Sequence, residues 1–155
     1  MSYEIQIRQE PPQLIAAVRC NVKPGELSQV VPRLCGEVWE FLRPRRDLLQ
    51  PRRHVAVYLD GAITLECGAE VGQRFEGNGR ILCSATPGGR VATTRHVGDY
   101  ARLGDAHAAI REWCAARDCA FAGPNWEIYG HWNDDPDKVY TDVCYLLRGD
   151  GNSAP

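Results

Sequence analysis

The stretch Trp126-Glu127-Ile128-Tyr129 sets one carboxylate among aromatic side chains. A carboxylate so placed has two uses. Left ionised, it attracts a cation, and neighbouring rings add cation–π attraction of about 0.5–2 kcal/mol each. With its pKa raised by desolvation, it can act instead as a general acid or base. A phenol such as Tyr129 can then hydrogen-bond a developing oxyanion. Side chains alternate along a strand, so Glu127, Tyr129 and His131 share one face, and Trp126, Ile128, Gly130 and Trp132 the other. Assigning the apolar set to the helices turns Glu127 and Tyr129 into an open cleft. In the run His54-Val55-Ala56-Val57-Tyr58-Leu59, the same reasoning sends Val55, Val57 and Leu59 to the core and Ala56 and Tyr58 to the cleft. A small residue facing a carboxylate leaves room for a ligand. Trp39, on the flank of the first helix's stripe, and Trp132, near a turn, fall at the rim. Expected ligand-binding residues are thus Glu127, Tyr129, Tyr58, Trp39, Ala56 and Trp132. Glu127 and Tyr129 are catalytic if a reaction occurs.

These residues need elements to hold them. Glu4 to Arg8 alternates strictly, and Gln13 to Val22 reads as a second extended piece after Pro11-Pro12. Pro24-Gly25 opens a helix whose apolar residues Leu27, Val30, Val31, Leu34, Val38, Phe41 and Leu42 recur at helical spacing before Pro44 stops it. Strands follow from His54 and Ala62. The second part repeats this order: extended segments around Pro87-Gly88-Gly89, a helix from about Ala101 to Arg117, a break at Gly123-Pro124, and strands from Trp126 and Tyr140. The repeat predicts an α+β fold: a duplicated strand-helix-strand-strand unit joined edge to edge into one antiparallel sheet. Both helices are expected on one face and a ligand cleft on the other. A single domain is expected over residues 1–148, in two pseudo-repeats of about 1–76 and 77–148, with a disordered tail over 149–155. Trp113 centres its helical stripe and reads as core. Trp126 reads as helix-facing or surface-capping. Glu66 and Asp142, matched between the repeats, read as solvated, and the basic run Arg43, Arg45, Arg46, Arg52 and Arg53 as a solvated loop.

Bulk properties narrow the function. Hydrophobic residues make up 44% and charged residues 25%, enough to bury a core. A net charge of −2 gives no footprint for nucleic acid, so no direct nucleic-acid partner is expected. Nothing approaches the roughly 20 apolar residues of a membrane span, and no signal peptide opens the chain. The expectation is a cytoplasmic protein without a membrane partner. Seven cysteines are scattered without a CxxC pair, which suits reduced, mostly buried thiols. His54, His96, His107 and His131 show no metal spacing, so no metal and no cofactor is expected.

The segment from Thr93 to Leu147 resembles the GyrI-like small-molecule-binding family, which also supplies the effector-binding domain of bacterial multidrug-responsive transcription activators. The resemblance rests on His96-x-Gly98-x-Tyr100 before the second helix, Trp113 late in it, Gly123-Pro124, Glu127-Ile128-Tyr129, Asp135-Pro136 and Thr141-Asp142. The duplicated plan extends it over almost the whole chain. Asp99 stands where a proline often follows the glycine, and Tyr145-Leu146-Leu147 replaces the usual Ile-Pro-Val. The resemblance implies a cleft between the repeats for apolar, often cationic, aromatic molecules, with Glu127 at its floor. It equally implies two alternatives: a hydrolase opening strained cyclopropane-containing natural products with Glu127 and cleft aromatics, or a gyrase-inhibitor-like protein-binding module. No helix-turn-helix precedes the domain, so this chain is not expected to be a DNA-binding activator itself. Monomer and homodimer both remain open.

Overall fold

Strands form where polar and apolar residues alternate or, at the centre of the sheet, where a short run is buried on both faces, and helices where apolar residues recur every three to four positions. The computed structural model describes residues 3–48, 53–60, 64–131 and 133–149. In chain order the elements are β1 Gln6–Glu10, β2 Leu14–Asn21, α1 Leu27–Leu42, β3 His54–Tyr58, β4 Thr64–Glu70, β5 Leu82–Ala85, β6 Gly89–Val97, α2 Leu103–Ala116, β7 Phe121–Tyr129 and β8 Tyr140–Leu147. Trp132 and residues 150–155 of the expected tail lie outside the described residues.

The strands make one antiparallel sheet in the order β1-β6-β8-β7-β3-β4-β2-β5. This order is the same read from either end once the repeats are superposed. The two halves meet at β3 and β7, with Val55, Ala56 and Val57 opposite Ile128, Glu127 and Trp126. At the margins the halves exchange strands: β1 pairs with β6 of the second half, and β5 pairs with β2 of the first. Gly68 marks how tightly β2 and β4 approach. A Cβ there would sit 1.8 Å from the Ala16 carbonyl oxygen, so only glycine fits.

Each helix has a local start. Pro24 and Glu26 form a turn before α1, where the Glu26 carboxylate accepts from the Lys23 backbone N–H at 3.0 Å. Asp99 caps the turn before α2 by accepting from the Ala101 N–H at 2.9 Å. Pro32 lies inside α1 and has no N–H to donate to the carbonyl of residue 28. Helix α1 buries Val30, Leu34, Cys35, Val38 and Leu42 over Ala16, Val18, Ala56, Leu65, Cys67 and Ala69. Helix α2 buries Ala106, Ile110 and Cys114 over Ala92, Val143 and Leu147.

The class and sheet match the expectation, but the cleft does not lie opposite the helices. Residues paired across neighbouring strands share a face, so Glu127, Ala56, Cys67 and Val143 belong to one face, and it is the face both helices cover. Val55, Val57 and Trp126 pack instead on the helix-free face, with Ile15, Ala17, Val91 and Cys144. Trp126 is therefore core but not helix-facing. Trp113 is only partly buried, with the Arg117 guanidinium 4.1 Å above its ring. The strand β7 also runs through Gly123-Pro124 instead of breaking there. A register irregularity between Phe121 and Asn125 absorbs the proline, and Gly123 takes a positive φ of 123°.

Two carboxylates expected in solvent are paired on the helix-free face. Glu66, 1% exposed, accepts from Arg19 at 2.6 and 2.9 Å and from the Ser84 hydroxyl at 2.5 Å. Asp142 accepts from Arg95 at 2.7 and 3.0 Å. The two ion pairs occupy equivalent cross-strand positions in the halves. Arg53 does not belong to a solvated loop. It forks onto buried Glu70 at 2.9 and 3.1 Å, and that hydrogen bond, first of all, raises its already high pKa.

Candidate functional site

Because the two helices cover separate halves of the sheet, a gap remains between them above the β3–β7 seam. A cavity of about 1030 Å³ fills it. One wall is α1, through Val31, Pro32, Cys35 and Trp39; the other is the turn before α2, through Tyr100, and the first residue of α2, Leu103. The sheet supplies Tyr58 and His54 from β3, and Glu127, Tyr129, Gly130 and His131 from β7 and its end. Trp39 and Tyr100 stay 37% and 42% exposed at the mouth, and Tyr100 meets Tyr129 edge to face at 6.0 Å.

Glu127 is only 7% exposed, and three groups donate to it. The Tyr129 hydroxyl reaches Oε1 at 2.5 Å and the Tyr58 hydroxyl reaches the same oxygen at 3.4 Å. His107 Nε2 stands 2.6 Å from Oε2. Behind it, His107 Nδ1 is 2.6 Å from the Tyr145 hydroxyl, to which Arg111 donates at 3.2 Å. One proton arrangement satisfies every member: Arg111 donates to Tyr145, Tyr145 to His107 Nδ1, and His107 Nε2–H to Glu127. The histidine is then neutral and the carboxylate keeps its full negative charge. Burial, and then the Glu127 charge, hold the pKa of Tyr129 well above the usual tyrosine value, and push Tyr58 upward for the same reasons. Both phenols therefore stay donors at neutral pH. Across the floor, His54 Nε2 is buried without a partner among the described residues. Burial, reinforced by His131, lowers the His54 pKa and keeps the ring neutral.

Of the residues singled out by sequence, Glu127, Tyr129, Tyr58 and Trp39 meet at this cavity. Ala56 stands opposite Glu127 in register but is fully buried beneath α1, which closes over it, and does not line the cavity. Trp132 lies outside the described residues. Sequence reasoning passed over His107, Tyr145 and Arg111. Leu103, His107 and Arg111 recur every four residues, a second line along α2 beside the apolar stripe. Tyr145 shares the face of Val143, which is paired with Glu127. That line and that parity were the available signals. Among the described residues no three His, Cys, Asp or Glu side chains converge as a metal site, and no helix is long and apolar enough to cross a membrane.

The family described as GyrI-like small molecule binding domain matches residues 3–148. The chain belongs to that family. Among solved structures, the GyrI-like domain here is similar to the EcmrR C-terminal domain, at 20% identity and a TM-score of 0.76, covering 96% of this chain and 99% of that one. It is also similar to SAV2435 bound to tetraphenylphosphonium, at 9% identity and a TM-score of 0.71, covering 99% and 98%. A hydrolase from Listeria innocua shares the fold at 12% identity and a TM-score of 0.59, covering 94% and 92%. No curated protein matches the chain. At these identities the likeness concerns the fold, and the eight-stranded sheet with two helices is common ground.

Proposed function

We propose that this GyrI-like domain binds aromatic, hydrophobic or cationic small molecules in the cavity between α1 and α2. The carrying observation is Glu127: a carboxylate hydrogen-bonded by two tyrosines and a histidine at the floor of a cavity walled by tyrosines and a tryptophan. Its charge has no neutralising partner in the neutral-histidine arrangement, so an apolar cation entering between the rings supplies one. Rings at van der Waals distance add cation–π attraction without demanding a fixed shape, which suits varied ligands. That the similar SAV2435 holds tetraphenylphosphonium, an aromatic cation, supports the reading. Titration with tetraphenylphosphonium tests it. Saturable quenching of tryptophan fluorescence, lost in part with Trp39→Phe, is the expected result. Absence of saturable binding by any aromatic cation overturns it.

One observation favours a second reading as a hydrolase. The His107–Glu127 contact, backed by Tyr145 and Arg111, has the form of an oriented acid–base pair. In that reading Glu127 takes a proton from water, whose oxygen attacks a carbon of a strained ring. The ring bond's electrons pass to a conjugated carbonyl, Tyr129 hydrogen-bonds the oxyanion, and Glu127 returns the proton. Turnover of a cyclopropane-bearing electrophile, abolished in His107→Gln while binding persists, separates this reading from simple capture.

A further inference from the structure

Beside the aromatic site the cavity wall carries two thiols in contact. Cys35 on α1 lines the cavity, and its Sγ lies 3.4 Å from the Sγ of Cys67 on β4, fully buried behind it. We propose that Cys35 and Cys67 form a dithiol site that captures trivalent organoarsenicals entering the cavity. This reading uses the cavity but owes nothing to Glu127.

The spacing selects the chemistry. Sulfurs 3.4 Å apart, each about 2.3 Å from a shared centre, subtend roughly 95° at it. A near right angle belongs to a three-coordinate pyramidal centre such as As(III). A linear two-thiolate centre, as Hg(II) or Cu(I) prefers, needs sulfurs about 4.6 Å apart on the same bond length. Since no third ligating side chain converges with the pair among the described residues, the arsenic must bring its third substituent with it. An aryl group serves, because the cavity that Cys35 faces is walled by Trp39, Tyr58 and Tyr129. The hydrogen bond between the two thiols lowers the pKa of Cys35 and raises that of Cys67.

With hydrated phenylarsine oxide the steps balance. The Cys35 thiol attacks arsenic, one As–S bond forms, one As–O bond breaks, and the thiol proton leaves with the hydroxide as water. The Cys67 thiol then displaces the second hydroxide in the same way. Arsenic stays trivalent, two waters depart, and no oxidant takes part.

The test is incubation of the whole chain with phenylarsine oxide in excess glutathione, which strips adducts from single thiols, followed by intact mass spectrometry. The expected result is one arsenical per chain with two thiols withdrawn from alkylation, removed by a competing small dithiol. Cys35→Ala and Cys67→Ala each lose the adduct; Cys20→Ala, at a thiol in the same core, and Cys114→Ala, at a thiol in the separate core under α2, keep it. Circular dichroism checks each fold, and if Cys67→Ala fails to fold, Cys35→Ala decides alone. Failure of wild type to hold a glutathione-resistant adduct, or an adduct that survives Cys35→Ala, overturns the proposal. Either outcome leaves the tetraphenylphosphonium titration untouched.

Discussion

Replacing Glu127 by glutamine removes the cavity's counter-charge while keeping nearly the same shape. The new amide donates to His107 Nε2 once the imidazole shifts its proton to Nδ1 and donates to Tyr145, whose own hydroxyl proton then gives up its histidine acceptor. The structure sets the size of the effect. Tyr129 places its hydroxyl 2.5 Å from Glu127, and a cation above an aromatic ring lies within about 6 Å of the centroid. The charge separation is then on the order of 7 Å, and at an effective dielectric of about 20 the attraction is roughly 2 kcal/mol. That corresponds to about a 30-fold weaker Kd. Isothermal calorimetry compares tetraphenylphosphonium with the neutral triphenylphosphine oxide on both proteins. Glu127→Gln should lower only the cation's affinity by this factor. Equal losses for both ligands, or no loss for the cation, would refute the claim that this charge does the selecting.

Other outcomes follow from the same coordinates. His107→Ala deletes a buried donor to a charged acceptor and should lower stability by about 1.5–3 kcal/mol in urea melts, with cation affinity falling less than in Glu127→Gln. The depressed His54 pKa makes stability fall as pH drops below the ordinary histidine value of 6.5, because the unfolded chain then binds a proton the native ring refuses. His54→Asn should flatten that acid slope between pH 7.5 and pH 5, and an unchanged slope would assign it elsewhere. Gly68→Ala forces β2 from β4 and should cost roughly 3 kcal/mol or more, read as a drop in Tm.

Much of the frame was legible because parity and helical period are local. Alternation alone put Glu127 with Tyr129, and Ala56 with Tyr58, and the register across the seam joins those two sets on one face. What parity cannot say is which face the helices cover. The strand β3 is central and apolar on both sides: Val55 and Val57 are as fully buried as Ala56. Bulk suggested that Val and Trp faced the helices, whereas Ala56 is the residue that lies under α1. Strand exchange was likewise invisible, since Gln6–Glu10 looks the same whether it pairs with β2 or β6. The misjudged carboxylates share one cause. A lone Glu66 reads as solvated until the fold brings Arg19 across from it. His107 was missed because a polar residue beside an apolar stripe ordinarily faces water, and here a tyrosine and a glutamate from two different strands meet it.

The crossed arms at the sheet's two margins bind the halves into a single folding unit. Cutting the chain near residue 76 would strand each fragment with a foreign first strand and two uncovered borders: β6 and β7 in one, β2 and β3 in the other. Such borders recruit whatever extended segment is near. Separately expressed fragments should therefore be sticky alone yet complement each other when mixed, and a binding site straddling the seam would reappear only in the reassembled pair.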